Sequence, residues 1–247
     1  MENTTVKNKG FDNENIKVSI VIACYNDVLV KEAIESALDQ TYSFKEIIVV
    51  NDGSSDKTSE IIENYRSVID IIIHQENSGQ SVARNNGIKK ATGDLILNLD
   101  SDDYFEPTFC EKAVQRFNLD EEVKIVTCKA RRFDHAGTID IFTPKGGGLK
   151  DFLFSNSALG SSMYRKTDWE TTKGYEEKLP ILGFEDWEFY IQLLKKGGYA
   201  YVIPEVLFNY RIRKNSTTHR IRFQKHDMFK YIIEKHDKLY QDHFPEL

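Results

Sequence analysis

From Gly93 to Asp103 the chain reads G-D-L-I-L-N-L-D-S-D-D, an apolar run that ends in three carboxylates, Asp100, Asp102 and Asp103. Leu95 to Leu99 is too short for a typical globular helix, and Gly93 bounds it on one side and polar residues on the other. The spacing predicts a buried parallel strand. Three acids within four residues repel one another at such a strand's tip, and a cation held there relieves the repulsion. An oxygen-only donor set suits Mg or Mn. An isolated D-x-D reads better as a solvated acidic turn, so the neighbouring sequence has to decide.

Upstream, V-S-I-V-I-A after Lys17 is a β-rich run stopped by C-Y-N-D, and Val30, Ala33, Ile34, Ala37 and Leu38 follow at helical spacing. Glu46 to Val50 is a second strand, N-D-G-S-S-D a dense turn signal, and Ile61, Ile62 and Tyr65 mark the next helix. Ile69 to Ile73 is a third strand. Asn77 to Gln80 forms a loop, and a helix runs from Ser81, its N-cap, to Lys90 before the opening strand arrives fourth. This alternation predicts an α/β fold with a mostly parallel, Rossmann-like sheet flanked by helices. Right-handed crossovers put the loops that follow strands on one rim, so Ala23 to Asp27, Asn51 to Asp56 and Asp100 to Asp103 are expected to converge.

Downstream, Pro107 opens a helix through Phe109, Ala113, Val114 and Phe117, and Val123 to Cys128 is a fifth strand. Arg131 to Phe142 reads as a hairpin. Pro144 to Gly148 is a flexible loop, either a connector or a lid edge, with a short helix from Leu149 to Ser155 behind it. Gly183 to Lys196 is a helix with Trp187, Tyr190, Ile191 and Leu194 as its apolar face. Glu185 and Asp186 fall in its first turn, where the helix dipole alone accounts for acids. Tyr201 to Pro204 reads as an edge strand and Val206 to Arg211 as another. Arg220 to His243 is helical, with Phe223, Met228, Ile232 and Leu239 as candidates for burial.

The 247 residues are 40% apolar and 12% aromatic, enough for a sizeable core in one large or two small domains. A formal charge of -6 excludes a general nucleic-acid binder, which needs a basic surface. Arg211 to Lys225 nevertheless holds six Lys or Arg and no acid; a solvated face and an anion site account for it equally, and a peripheral contact with anionic lipid is a third use. Residues 1 to 16 are polar and resemble neither a signal peptide nor an anchor, so a flexible start is expected. Cys24, Cys110 and Cys128 lack C-x-x-C spacing and fit reduced thiols in a cytoplasmic protein.

V-S-I-V-I-A-C-Y-N, I-V-V-N-D-G-S-S-D, S-V-A-R-N-N-G-I, L-N-L-D-S-D-D and G-F-E-D-W-E-F together resemble the family 2 glycosyltransferases of GT-A fold, over about Val18 to Thr218. The resemblance implies a nucleotide-sugar donor, usually UDP-linked, a divalent cation (Mn or Mg), and inversion at the anomeric carbon during transfer to a glycan or lipid-linked acceptor, as in cell-surface polysaccharide synthesis. It divides the chain into a flexible segment 1–16, a catalytic domain 17–218 with a nucleotide-sugar half (17–128) and an acceptor half (129–218), and a helical tail 219–247.

Carried across, Ala23, Tyr25 and Asn26 resemble the nucleoside-binding turn, Asp52 the acid that bonds the base, and Arg84 a base or diphosphate contact. Asp100 and Asp102 match the D-x-D acids that touch ribose and metal, with Asp103 sharing the role. Asp186 resembles the catalytic base, with Glu185 and Trp187 beside it on the acceptor side, and a helix N-terminus there would hold Asp186 ionised. Some relatives carry a metal-binding His in Y-R-x-H-x-x-S, where this chain has Arg213. His219 is then a substitute ligand, or Arg213 a diphosphate contact. Rival readings fare worse: a calcium loop is broken by Phe105 and Pro107, a haloacid-type phosphatase carries its D-x-D after the first strand, and a dehydrogenase needs G-x-G-x-x-G in its first turn. A nucleotide-sugar binding module that no longer catalyses is the alternative from a different class.

Overall fold

The computed structural model describes residues 16–214, 216 and 223–246. Its first half is the expected alternation: β1 (Val18–Cys24), α1 (Val30–Leu38), β2 (Lys45–Asp52), α2 (Asp56–Asn64), β3 (Ile71–Gln75), α3 (Gln80–Lys90) and β4 (Leu95–Asp100). The order β3-β2-β1-β4 is parallel throughout. In register, Ala23 faces Val50 on one side and Asp100 on the other, so the strands deliver their loops to one rim.

The strands are apolar on both faces because both are covered. Val18, Ile20 and Ile22 of β1 pack under α1, α2 and a later helix, α4 (Phe109–Leu119), while Val21 belongs to the core on the opposite face with Ile88 of α3. On that face α3 lies close: a Cβ on Gly87 would stand 2.5 Å from Val21 Cγ1, so glycine sets the distance between helix and sheet. The helix starts one residue before the predicted Ser81, and its N-cap is Gly79 at φ 90° rather than a side-chain cap.

Beyond β4 the chain departs from a simple repeat. A two-residue β5 (Tyr104–Phe105) precedes α4. The predicted fifth strand and the first arm of the hairpin are one long strand, β6 (Val123–Asp134), which pairs with β7 (Gly137–Phe142). α5 is a single turn (Leu149–Phe152), shorter than predicted, and β8 (Met163–Arg165) and α6 (Lys166–Thr172) follow. β8 had no counterpart in the sequence reading. It runs antiparallel to both β4 and β6 and joins the two parts of the sheet.

α7 (Glu185–Leu194) leads into β9 (Tyr199–Arg211), which merges the two strands expected there. β5 flanks β9 only at Phe208 and Asn209, so among the described residues Tyr201–Pro204 pairs with β6 on one side alone, as expected of an edge, and the part of β9 beyond it lies between β6 and β5. Its register against β6 jumps from Ile203 to Val206, so Pro204, which cannot donate to a ladder, sits at an irregularity where no ladder bond is required. α8 (Lys225–Lys235) and α9 (Asp237–His243) replace the single terminal helix. Met228 and Ile232 are buried as expected and join Tyr240 in the core around Trp187, whereas Phe223 is 81% exposed. No helix among the described residues is long and apolar enough to cross a membrane. The segment 1–15 and His219 lie outside the described residues.

Candidate active site

The rim opens into a cavity of about 650 Å³ lined by residues of every predicted motif, among them Ala23, Tyr25, Asp52, Arg84, Asp100 and Asp186. Convergence of the three strand-end loops is therefore as expected. Asn26 is the exception: it is not a lining residue. It adopts a left-handed backbone at φ 52°, which Asn tolerates, and its side chain accepts from Ser55 N at 2.7 Å, stitching the first loop to the second. Tyr25 is 54% exposed at the lip.

Asp52 is buried at the cavity wall. Its carboxylate accepts from Gln75 Nε2 at 2.7 Å and from the backbone N–H groups of Ser78 and Gly79, each at 2.9 Å, so three acceptor positions shape the β3–α3 loop and a fourth remains. The same loop presses on Gly53, where a Cβ would stand 2.6 Å from Asn77 N.

Arg84 does not stand free for a ligand. Its Nη2 pairs with Asp100 Oδ1, its Nη1 with Glu185 Oε1 at 3.0 Å, and its guanidinium lies 5.5 Å from the Tyr175 ring centroid. Burial alone would lower its pKa; Asp100 and Glu185 raise it instead and keep the charge. Glu185 is thereby committed as well, since its second oxygen accepts from Gly183 N at 2.8 Å. Sequence distance hid this bridge, which ties α3 and β4 to the start of α7.

The acids after β4 divide by role. Asp103 Oδ1 accepts from Arg211 N at 2.7 Å and thus anchors β9; burial, then the charges of Asp102 and Asp100, push its pKa well up. Asp102 opens toward the cavity, and burial followed by the charge of Asp100 lifts it to about 6 against the pull of Arg213. Arg213 Nη2 reaches Asp102 Oδ2 at 2.5 Å and Asp27 Oδ2 at 3.0 Å. Asp27, at the end of C-Y-N-D, was not singled out from sequence, yet it is buried and bridges the first loop to Ser101 as well. Arg211 pairs with Glu32 at 2.5 Å, so two cations of the basic segment line this cavity, and residues 217–222 lie outside the described residues.

Asp186 lines the cavity from the first turn of α7. Its Oδ1 accepts from Trp187 N and its Oδ2 from Asn156 Nδ2, both at 2.8 Å. The helix terminus does not lower its pKa as expected. Burial and then the adjacent Glu185 outweigh Arg84 and the backbone N–H and lift Asp186 to about 7. Trp187 is not on the acceptor side: it is 1% exposed, and its indole donates to Phe152 O at 2.6 Å. Tyr190 is core too, as its place in an apolar helix suggested.

The model of the family described as glycosyl transferase family 2 matches residues 19–156, more than half of the chain. The chain belongs to that family. Among relatives of this glycosyltransferase, TuaG of Bacillus subtilis, named for teichuronic acid biosynthesis, is 31% identical over 81% of the chain and 80% of its own length. Chondroitin synthase of Escherichia coli is 28% identical over 90% of the chain, which spans 33% of that protein. The chain covers only about a third of the length of several such relatives, 37% of EpsH and 31% of GlyA among them. Of solved structures, Staphylococcus aureus TarS 1-349 with UDP-GlcNAc matches at TM-score 0.70 and 19% identity over 88% of the chain and 66% of its own. The Pyrobaculum calidifontis mannosyltransferase PcManGT with GDP-Man and Mn2+ matches at 0.69 and 18%, over 90% and 64%. At those identities they establish a shared GT-A fold.

Proposed function

We propose that this family 2 glycosyltransferase moves a hexose or N-acetylhexosamine, with inversion, from a nucleoside-diphosphate donor, first of all a UDP-sugar, to a hydroxyl of a glycan or lipid-linked saccharide. The observation that carries the reading is the shared cavity: Asp186, the Asp100–Asp102 pair and Asp52 all line it. The names of chondroitin synthase and TuaG favour polysaccharide synthesis, and the UDP-GlcNAc and GDP-Man complexes favour a nucleotide-sugar donor. A cytoplasmic location goes with donors of that kind.

The residues fit a divalent cation. Seven carboxylates and four arginines line the cavity, so an anionic diphosphate entering it calls for added positive charge. Mg and Mn in such sites are held by one or two carboxylates together with substrate phosphates, and the carboxylates after β4 supply oxygen donors of that kind. Asp102 and Asp100 would hold it, and when bound it supplies the charge that stabilises the departing diphosphate. Asp103, committed to β9, supports the turn.

The chain's own part is positioning and proton transfer. The β3–α3 loop ordered by Asp52 receives the base, with the Tyr25 ring as a face for stacking. Arg213, now spanning Asp27 and Asp102, is the cation within reach of the phosphates. Asp186 takes the proton of the acceptor hydroxyl as that oxygen bonds to the anomeric carbon and the bond to the diphosphate breaks. A carboxyl near pH 7 is a stronger base than an ordinary aspartate and still largely ionised above neutrality. The test is release of nucleoside diphosphate from a panel of nucleotide sugars with Mn. Asp186→Asn is expected to lower turnover by about 10²–10⁴-fold with donor binding retained. Full activity in that variant removes Asp186 as base, and donor binding without turnover of any nucleotide sugar marks a binding module.

A further inference from the structure

The loop after α5, residues 156–160, is built around Asp186, and nothing in the family motifs accounts for it. Asn156 Nδ2 donates to Asp186 Oδ2 at 2.8 Å. The amide cannot flip to present its oxygen, because Asn156 Oδ1 already accepts from Ala158 N at 3.2 Å. Gly160 completes the seat: a Cβ there would stand 2.9 Å from the same Oδ2. The loop is held in turn by the helix it serves. Tyr190, one turn beyond Asp186 on α7, directs its hydroxyl at the carbonyls of Leu159 and Gly160, 2.8 and 2.9 Å away, and Trp187 ties α7 to Phe152.

We infer that Asn156 is the positioning residue of the proposed base: it fixes the Asp186 carboxylate in one rotamer and stabilises its charged form, leaving the remaining lone pair of Oδ2 for the acceptor hydroxyl. This rests on the reading of Asp186 as base. The environment makes such a donor necessary. Glu185 on the same helix and Asp100 from β4 oppose the negative charge, Tyr190 borders it, and Arg84 from α3, shared between Asp100 and Glu185, offsets only part of the repulsion. An amide hydrogen bond to a carboxylate favours the ionised form without adding charge near the donor diphosphate.

The test follows the Asp186 carboxyl by ¹³C NMR in aspartate-labelled protein, with Asp186→Asn identifying the resonance, so no acceptor is needed. Asn156→Ala should raise the titration midpoint by about one to two pH units, the shift that corresponds to losing one hydrogen bond to a charged group. Asn156→Asp, nearly isosteric, puts a second carboxylate in contact and should raise it further. Donor affinity, measured calorimetrically with UDP-GlcNAc and Mn, should stay within about twofold in both variants, as expected of a group that touches only the base. An unmoved midpoint in either variant overturns the inference, however far turnover drops. Full turnover in Asp186→Asn instead overturns the base reading, and the two failures are thus told apart.

Discussion

Replacing Arg84 with Met should leave the carboxylates of Asp100 and Glu185 without their shared partner in the wall of the cavity. Removing one partner of a buried ion pair typically costs about 3–5 kcal/mol, chiefly because the other charge is stranded. Glu185, whose side chain is 6% exposed, carries most of that cost, while Asp100, at 28%, recovers part of its solvation. The expected loss is therefore about 3 kcal/mol, a large fraction of the roughly 5–15 kcal/mol by which domains are stable. For a slope near 3 kcal/mol per molar urea, the unfolding midpoint falls by about 1 M. Glu185→Gln removes the stranded charge, so the double variant R84M/E185Q should be more stable than R84M by about 1–2 kcal/mol. Urea titrations of the four proteins complete the cycle. If the two single effects add within about 0.5 kcal/mol, Arg84 and Glu185 are not coupled and the bridge does not hold α3 to α7 as described.

Two further outcomes bear on the cation and on the fold. Asp102→Ala should abolish the metal-dependent part of UDP binding, and unchanged calorimetric affinity would take Asp102 out of the cation site. Glu46, buried where β1, β2 and the turn before β4 meet, is raised by burial but lowered more by Lys17, Ser19 and Thr92, to about 2. Its folded pKa lies below the unfolded one, so its stabilisation is fully present above about pH 4.5 and is lost as pH falls toward 2. Glu46→Gln should therefore cost on the order of 3 kcal/mol at pH 7 and progressively less in acid, read from urea midpoints at pH 7 and pH 3; a gap independent of pH would contradict this.

The first half of the chain was legible because parallel strands covered on both faces are continuous apolar runs, and turn residues punctuate them at every step. The later half was not, for physical reasons that differ by element. β8 has only Met163, Tyr164 and Arg165, too few for any period to register. β6 and β9 were each divided at charged residues or Pro204, where the ladder is irregular but the strand goes on. Within the site, residue types and rim were readable, but partners were not. Arg84 meets Glu185, and Asn156 meets Asp186, across long stretches of chain. Local pattern also misjudged Asp186, because a helix terminus is visible in sequence and the burial beside Glu185 is not. Trp187 was assigned by proximity to Asp186, although eight of the ten residues of α7 are buried and leave little face for a ligand.

β8 also sets an order of events during synthesis. The flank of β4 that it covers is a line of unpaired backbone groups among Leu95, Ile96 and Leu97, and its partner arrives only when Met163–Arg165 has been made, after β6 and β7. At the usual pace of about 5–20 residues per second, the nascent chain spends several seconds with an apolar sheet edge open to pairing with other chains. Those three residues thus close the gap between β4 and β6, and until they emerge the flank of β4 is open to pairing with another chain.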